Sequence, residues 1–153
     1  MSELEVRIVD LEPLRGACIN AYGESPEQDS WTAMEAWAKP RGLLERPGVR
    51  TFGYNNPNPS PGSPNYGYDF WITVGPEVEA EGEVRIIDFP GGLYAVTRVK
   101  GIENIHETWK QLVAWLEESK YQHGGLQWLE EHLTPMDTPL EDFVLDLYAP
   151  VTE

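Results

Sequence analysis

The chain has 153 residues, close to the commonest size of one domain, with 41% apolar and 24% charged residues. It has no apolar run of about 20 residues, its first ten residues do not form a signal peptide, and Cys18 is its only cysteine. We therefore expect a cytoplasmic protein with no disulfide and no membrane span. The formal net charge of −15 repels phosphate backbones, so we expect no direct binding of nucleic acid.

One sequence pattern occurs twice. Val6-Arg7-Ile8-Val9-Asp10-Leu11 returns 78 residues later (84 − 6) as Val84-Arg85-Ile86-Ile87-Asp88-Phe89. Gly23, Trp31 and Trp37 match Gly101, Trp109 and Trp115 at the same distance. Towards the end the distance becomes 77 (146 − 69), and Asp69-Phe70-Trp71 matches Asp146-Leu147-Tyr148. We interpret residues 1–153 as one domain with two repeats, about 3–76 and about 82–153.

The first repeat opens with a long apolar segment, Leu4 to Tyr22, which predicts one strand bent at Pro13. Pro26 and Glu27 then open a helix that continues over Ser30 to Leu43, with Pro40 kinking or ending it. Two strands follow, Val49 to Asn55 and Tyr68 to Val74. The Pro- and Asn-rich stretch 56–65 between them predicts a surface loop.

The second repeat follows the same order. Val84 to Val99 predicts a strand bent at Pro90-Gly91-Gly92. Asn104 and Glu107 have the spacing of a capping box at the start of a helix, whose apolar residues recur every three or four positions. Two strands, Leu126 to Leu133 and Phe143 to Val151, end the repeat.

These elements predict an α+β fold: a pseudo-twofold tandem repeat of a β-α-β-β unit, with a curved antiparallel sheet and two long helices. Repeats of this kind usually pack about a twofold axis, and the cleft between them is a common ligand site.

The last strand of each repeat is the main source of candidate site residues. Alternation puts Asp146 and Tyr148 on one strand face, and Asp69 and Trp71 on the matching face of the first repeat. Such a face is either a solvated surface or the wall of a pocket suited to an aromatic cation. Tyr54, Tyr68, Tyr94 and Trp109 are further candidates for the wall. The three histidines lack the spacing of metal ligands, so we expect no metal.

Several short stretches resemble the GyrI-like small-molecule-binding domain, the effector-binding domain of bacterial multidrug-responsive transcription regulators. They are Gly91 to Val96, Trp109 to Leu116, Tyr68 to Val74, and Asp146 to Val151, which resembles the closing "E-I-Y-I-P-V" strand. The resemblance implies the fold given above and a drug pocket containing acids of the last two strands. Those acids are Glu130 and Asp146 here, or Glu131 if the alignment slips by one residue.

The chain departs from the family pattern in three places. Asp146 replaces the more usual Glu, His132 stands where a Tyr is typical, and the Pro-rich loop is unusual. Many relatives carry a DNA-binding helix-turn-helix before this domain, whereas this chain starts directly on the first strand. We therefore expect a stand-alone binding protein rather than a DNA-binding activator.

Three functions follow from the resemblance. The favoured one is binding or sensing of small amphipathic, aromatic and cationic compounds in the cleft, without a cofactor. The ligand-binding residues would be drawn from both repeats: Tyr54, Tyr68, Trp71, Trp109, Glu130, Asp146 and Tyr148. The alternative is a hydrolase that opens strained cyclopropane-bearing toxins, with Glu130 as general base. A gyrase-interacting protein is the third, and the oligomeric state stays open.

Overall fold

The computed structural model describes residues 4–56, 61–134 and 138–153 of the chain. Within these residues it has two α-helices, α1 (Pro26–Ala38) and α2 (Ile105–Glu118). The strands are β1 (Arg7–Leu11), β2 (Leu14–Gly23), β3 (Thr51–Asn55), β4 (Tyr66–Thr73), β5 (Arg85–Phe89), β6 (Gly92–Lys100), β7 (Gln122–His123), β8 (Leu129–His132) and β9 (Val144–Thr152). The strand pairings described below are all antiparallel, which confirms the predicted α+β class.

The chain folds as two compact units, one formed by residues 14–89 and the other by residues 1–13 with 90–153. We call them the α1 unit and the α2 unit after their helices. In the α1 unit the strand order is β3-β4-β2-β5. The helix buries Ser30, Met34 and Ala38, which are four residues apart and so share one face. The Trp31 ring contacts Phe70 of β4 at a centroid distance of 5.2 Å.

The α2 unit has the strand order β1-β6-β9-β8, and β7 pairs with the end of β9. Leu112 and Leu116 of α2 are buried against apolar residues of β6 and β9. That cluster consists of Ala95, Val99, Leu112, Leu116, Leu145, Leu147, Ala149 and Val151. Alternate residues of β9 therefore face the helix, as the period of two predicts.

Each unit contains strands from both sequence repeats. β1 belongs to the first repeat and pairs with β6 of the second, whereas β5 belongs to the second and pairs with β2 of the first. The prediction of one bent strand over Leu4 to Tyr22, and of another over Val84 to Val99, is therefore wrong. Proline at 13 and at 90 supplies no N–H for pairing, so the chain leaves one unit and enters the other at these two bends.

A glycine is required at the second bend. Gly91 has φ +78°, and a Cβ there would lie 2.4 Å from the carbonyl oxygen of Leu11. A side chain at this position would be strained by the backbone conformation and would collide with β1 of the same unit.

Two details of the helices differ from expectation. α1 begins at Pro26 and ends at Ala38, because Pro40 lies in a 3₁₀ turn, Lys39–Arg41, that replaces the predicted last turn. α2 begins after Asn104 as predicted, but the capping box does not form. The Asn104 amide instead donates to the carbonyl of Lys100 at 2.8 Å. Residues 57–60 of the predicted loop lie outside the described residues.

Neither helix in the described ranges is long and apolar enough to span a bilayer. The predicted cleft between the repeats stays a prediction.

Candidate functional site

The far side of each unit, meaning the strand face turned away from its helix, collects polar and aromatic side chains. In the α1 unit Trp71 of β4 is in register with Cys18 of β2 and Phe52 of β3, and Asp69 with Asn20 and Tyr54. Residues paired across antiparallel strands point to the same face. Because Phe70 between them contacts α1, Asp69 and Trp71 lie on the far side.

Asp69 is the centre of a polar network on the far side of the α1 unit. Its side chain is 1% exposed and accepts a hydrogen bond from Arg85 at 2.6 Å. Asn20 donates at 2.7 Å and Asn56 at 3.2 Å, and Tyr54 is hydrogen-bonded to the same carboxylate. A buried carboxylate is tolerated when it is paired and hydrogen-bonded in this way.

An aromatic stack lies beside this network. The Phe52 and Trp71 rings are 4.6 Å apart and inclined by only 21°. Trp71 is fully buried, partly because its ring covers Gly16, where a Cβ would come within 2.4 Å of Trp71 Cε3. Glycine at position 16 thus makes room for the indole.

The α2 unit repeats the polar network around Asp146. Its carboxylate, 5% exposed, accepts hydrogen bonds from Arg7 at 2.9 Å and from Arg98 Nε at 2.9 Å. Arg98 donates a second bond at 3.3 Å through a terminal nitrogen. Arg7 and Arg85 are equivalent in the sequence repeat, as are Asp146 and Asp69. Arg98 takes the place of Asn20, so the α2 unit has one more cation.

A second buried carboxylate distinguishes the α2 unit. Glu131 of β8 is in register with Asp146 and is 7% exposed. It accepts a 2.6 Å hydrogen bond from the hydroxyl of Tyr148. The Tyr148 ring meets that of Tyr94 edge to face, with centroids 5.6 Å apart and planes inclined by 76°. A carboxylate and two rings therefore lie together on this face.

Equivalent positions carry different chemistry in the two units. Tyr54 of the α1 unit corresponds to Glu131, and Trp71 corresponds to Tyr148 at the distance of 77 residues. Gly16 corresponds to Tyr94 at 78 residues. The α1 unit thus has the Tyr54 phenol where the α2 unit has the Glu131 carboxylate. It also has one large indole, Trp71 over Gly16, where the α2 unit has the two tyrosine rings.

The residues predicted for the site divide between the two sides of the strands. Tyr54, Trp71, Asp146 and Tyr148 lie on the far sides of their units. The other three, Tyr68, Trp109 and Glu130, lie on the helix sides. The interpretation of Asp69 and Asp146 as part of a solvated surface is wrong, because both are buried.

Trp109 and Glu130 contact each other on the helix side of the α2 unit. The indole Nε1 donates to the Glu130 carboxylate at 3.3 Å, and the ring lies 5.7 Å from that of Trp128. Register pairs Glu130 with Leu147, which faces α2. The structure therefore places Glu131, and not Glu130, next to Asp146. The sequence analysis named Glu131 only for the case that the alignment slips by one residue.

Burial shifts the pKa of several groups. It raises the pKa of Tyr94, and together with the Asp69 charge it raises that of Tyr54. Burial and the Asp69 charge also raise the pKa of the Cys18 thiol to about 12. Burial lowers the pKa of His132 to about 4. Among the described residues no group of three or more His, Cys, Asp or Glu side chains could hold a metal ion.

Comparison with known proteins gives a family. The model of the GyrI-like small molecule binding domain matches residues 4–152. Among curated proteins, no sequence matches this chain.

Solved structures share the fold at low sequence identity. The EcmrR C-terminal domain has a TM-score of 0.73 and 12% identity, with 98% of each chain covered. This chain spans 57% of the EcmrR chain in its complex with DNA. A hydrolase from Listeria innocua has a TM-score of 0.73 and 13% identity, with 99% of this chain and 94% of the hydrolase covered. SAV2435 bound to tetraphenylphosphonium has a TM-score of 0.54 and 13% identity, with 97% and 94% covered.

Proposed function

Because the chain belongs to the GyrI-like small molecule binding domain family, we propose that it binds small aromatic cations on the far side of the α2 unit. The observation that carries this proposal is the buried Glu131 carboxylate, hydrogen-bonded to Tyr148 and lying beside the Tyr94–Tyr148 ring pair. Such binding would serve to sequester or sense foreign compounds.

The charge of the ligand follows from desolvation. A carboxylate that is 7% exposed has lost most of its water, and a cation that covers it restores favourable electrostatic energy. Asp146 is already paired with Arg7 and Arg98. We assign to Asp146 the role of holding these two arginines, and to Glu131, which lies beside the Tyr94–Tyr148 ring pair, the attraction for the ligand's charge.

The aromatic character of the ligand follows from the rings. Tyr94 and Tyr148 are 0% and 3% exposed, so we expect a flat molecule to reach a ring face or edge only when the side chains around them move. A cation over a ring face then gains further attraction. The SAV2435 structure holds tetraphenylphosphonium, an aromatic cation, in a protein with this fold. That compound is therefore a suitable first probe.

The proposal is tested by titrating the protein with tetraphenylphosphonium and with the neutral triphenylphosphine oxide, using calorimetry. We expect Glu131→Gln to weaken binding of the cation by about tenfold or more and to leave the weak binding of the oxide unchanged. Tyr148→Phe should weaken binding of the cation less than Glu131→Gln does, because the carboxylate remains.

Glu130→Gln is the matched control, since it makes the same change one residue away on the helix side. Equal affinity of Glu131→Gln and wild type for the cation would overturn the assignment. Loss confined to Glu130→Gln would move the site to the Trp109–Glu130 contact.

A second candidate function is hydrolysis of strained cyclopropane-bearing compounds. A protein with this fold is a hydrolase, and the 2.6 Å Glu131–Tyr148 bond pairs a carboxylate with a hydroxyl beside two rings. The carboxylate would take a proton from water as the water oxygen attacks a ring carbon. The tyrosine hydroxyl would donate to the fragment released when the carbon–carbon bond breaks.

This function is tested by incubating the protein with a cyclopropane-bearing alkylating compound and measuring the ring-opened product. Turnover that is lost in Glu131→Gln, with binding retained, supports catalysis. Turnover lost only in Glu130→Gln supports the base expected from the family resemblance. Binding without turnover in the wild type leaves the binding function alone.

A further inference from the structure

A cavity of about 560 Å³ lies in the α2 unit, at the edge where β1 stops covering β6. We propose that this cavity is a second ligand site, specific for small organic anions that carry a carboxylate or phosphate group. It differs in ligand charge from the proposed cation site.

Three segments of the α2 unit line the cavity. The last pair between β1 and β6 is Arg7 with Val96, so β6 continues beyond β1 as Thr97 to Lys100. The chain before β1 stays attached to β6 at Glu5, whose carbonyl accepts a 2.8 Å hydrogen bond from the Thr97 hydroxyl. The first turns of α2 form the third wall.

The charge of the lining is opposite to that of the protein. Arg7, Arg98 and Lys100 line the cavity with one acid, Glu5, in a chain with 26 acidic and 11 basic residues. The acids that pair with these cations, Asp146 with the two arginines and Asp142 with Lys100 at 3.9 Å, lie outside the lining. The three cationic side chains are 54%, 59% and 68% exposed. They are therefore accessible to a ligand from solvent.

Asp146 fixes the two guanidinium groups before a ligand arrives. It accepts one hydrogen bond from Arg7 and two from Arg98. A guanidinium carries five N–H donors, so these bonds leave donors on each arginine for the oxygens of an anion. Side chains that are held in place lose less entropy on binding, and a planar donor fork suits carboxylate and phosphate.

The remaining lining residues suit an organic body. Leu4 and Val99 are apolar, and Asn104, Thr108 and Gln111 offer amide and hydroxyl groups. The volume lies within the range of small-molecule pockets, roughly 300–1,000 Å³. The net charge of −15 repels a polyanion, so the ligand is a small anion rather than a nucleic acid.

The inference is tested by calorimetric titration with naphthoate, naphthyl phosphate and the neutral naphthylmethanol, which share one ring system. We expect both anions to bind more tightly than the alcohol, and the difference to shrink as salt is added. The tighter of the two anions identifies the preferred head group.

Two variants locate the site. Lys100→Gln removes an exposed charge with little risk to folding, and Arg7→Gln removes a guanidinium. Each should weaken binding of the two anions by about fivefold to tenfold and leave the affinity for the alcohol unchanged. Lys110→Gln is the control, because Lys110 is an exposed cation of α2 outside the lining.

The anion site is overturned if neither anion binds better than the alcohol at concentrations up to about 5 mM. It is equally overturned if Lys110→Gln weakens the anions as much as Lys100→Gln does. Anion binding lost in Glu131→Gln but retained in Lys100→Gln would also contradict it. None of these outcomes affects the test with tetraphenylphosphonium.

Discussion

Arg85 donates a 2.6 Å hydrogen bond to the buried carboxylate of Asp69, although the two residues come from different sequence repeats. Arg7 and Asp146 repeat this relationship at 2.9 Å in the other unit. Each arginine begins the strand that its repeat contributes to the opposite unit. The ion pairs therefore attach the exchanged strands, in addition to the backbone bonds of the sheet.

Asp69→Asn is expected to lower the free energy of unfolding by about 2–4 kcal/mol. The amide keeps the shape of the carboxylate but loses its charge and one acceptor, so Arg85 and the asparagine donors around it lose their partner. Urea denaturation followed by tryptophan fluorescence measures the change. Asp88→Asn is the control, because the Asp88 side chain on the same exchanged strand is 85% exposed. Equal loss in both variants would contradict a special role for Asp69.

Gly16→Ala is expected to destabilise the protein by about 1–3 kcal/mol through overpacking. The new Cβ would lie 2.4 Å from Trp71 Cε3 and 3.2 Å from a side-chain carbon of Ile87. Thermal unfolding measures the loss. Gly125→Ala should be close to neutral, since a Cβ there meets nothing within 4 Å.

A second background shows whether the indole causes that loss. In a Trp71→Leu chain, which is itself less stable, Gly16→Ala should cost much less because the ring is absent. An undiminished cost in that background would show that backbone conformation, and not contact with Trp71, requires glycine at position 16.

The repeat in the sequence predicted much of this arrangement. It matched Asp69 with Asp146 and Trp71 with Tyr148, and alternation along the strands put each acid on the same face as its ring. Those are local properties of a strand, which a period of two determines. The exchange of β1 and β5 was not predicted, because pairing partners depend on contacts between residues far apart in the chain.

The choice between Glu130 and Glu131 could not be made from the sequence for the same reason. The run Leu129-Glu130-Glu131-His132 has an acid on each face of the strand, so alternation is satisfied either way. Only the register of β8 with β9, in which Glu131 lies opposite Asp146, selects one of them. The sequence did contain a signal for the two Arg–Asp ion pairs, since Arg7 and Arg85 match in the repeat as Asp69 and Asp146 do.

His132 is expected to make the protein less stable in mild acid. Its pKa in the folded protein is lowered from 6.5 to about 4 by burial, so between these values the unfolded chain binds a proton that the folded chain does not. Stability linked to the neutral imidazole is complete above pH 6.5 and is lost as the pH falls towards 4. Between neutral pH and mild acid, we expect the free energy of unfolding to fall by about 1–3 kcal/mol less in His132→Gln than in the wild type.

The measurement is a set of urea titrations from neutral pH down to mild acid, comparing His132→Gln with the wild type. His106→Gln serves as the control, because His106 is exposed on α2. If the difference in stability between His132→Gln and wild type does not change with pH, the imidazole is not protected from protonation in the folded state.

Cys18 is expected to react with thiol reagents only when the protein opens. The thiol is fully buried in β2, and burial, together with the Asp69 charge, raises its pKa to about 12. At pH 8 the thiolate fraction is then on the order of 10⁻⁴, against roughly a quarter for a free thiol.

Labelling with Ellman's reagent should be at least about 1,000-fold slower in the native protein than in concentrated urea, where one thiol per chain reacts. The native rate should rise in Asp69→Asn, since loss of the network raises the population of the open state. Rapid labelling of the native wild type would contradict this burial. The thiolate is the reactive species, and the reagent cannot reach a thiol that stays buried.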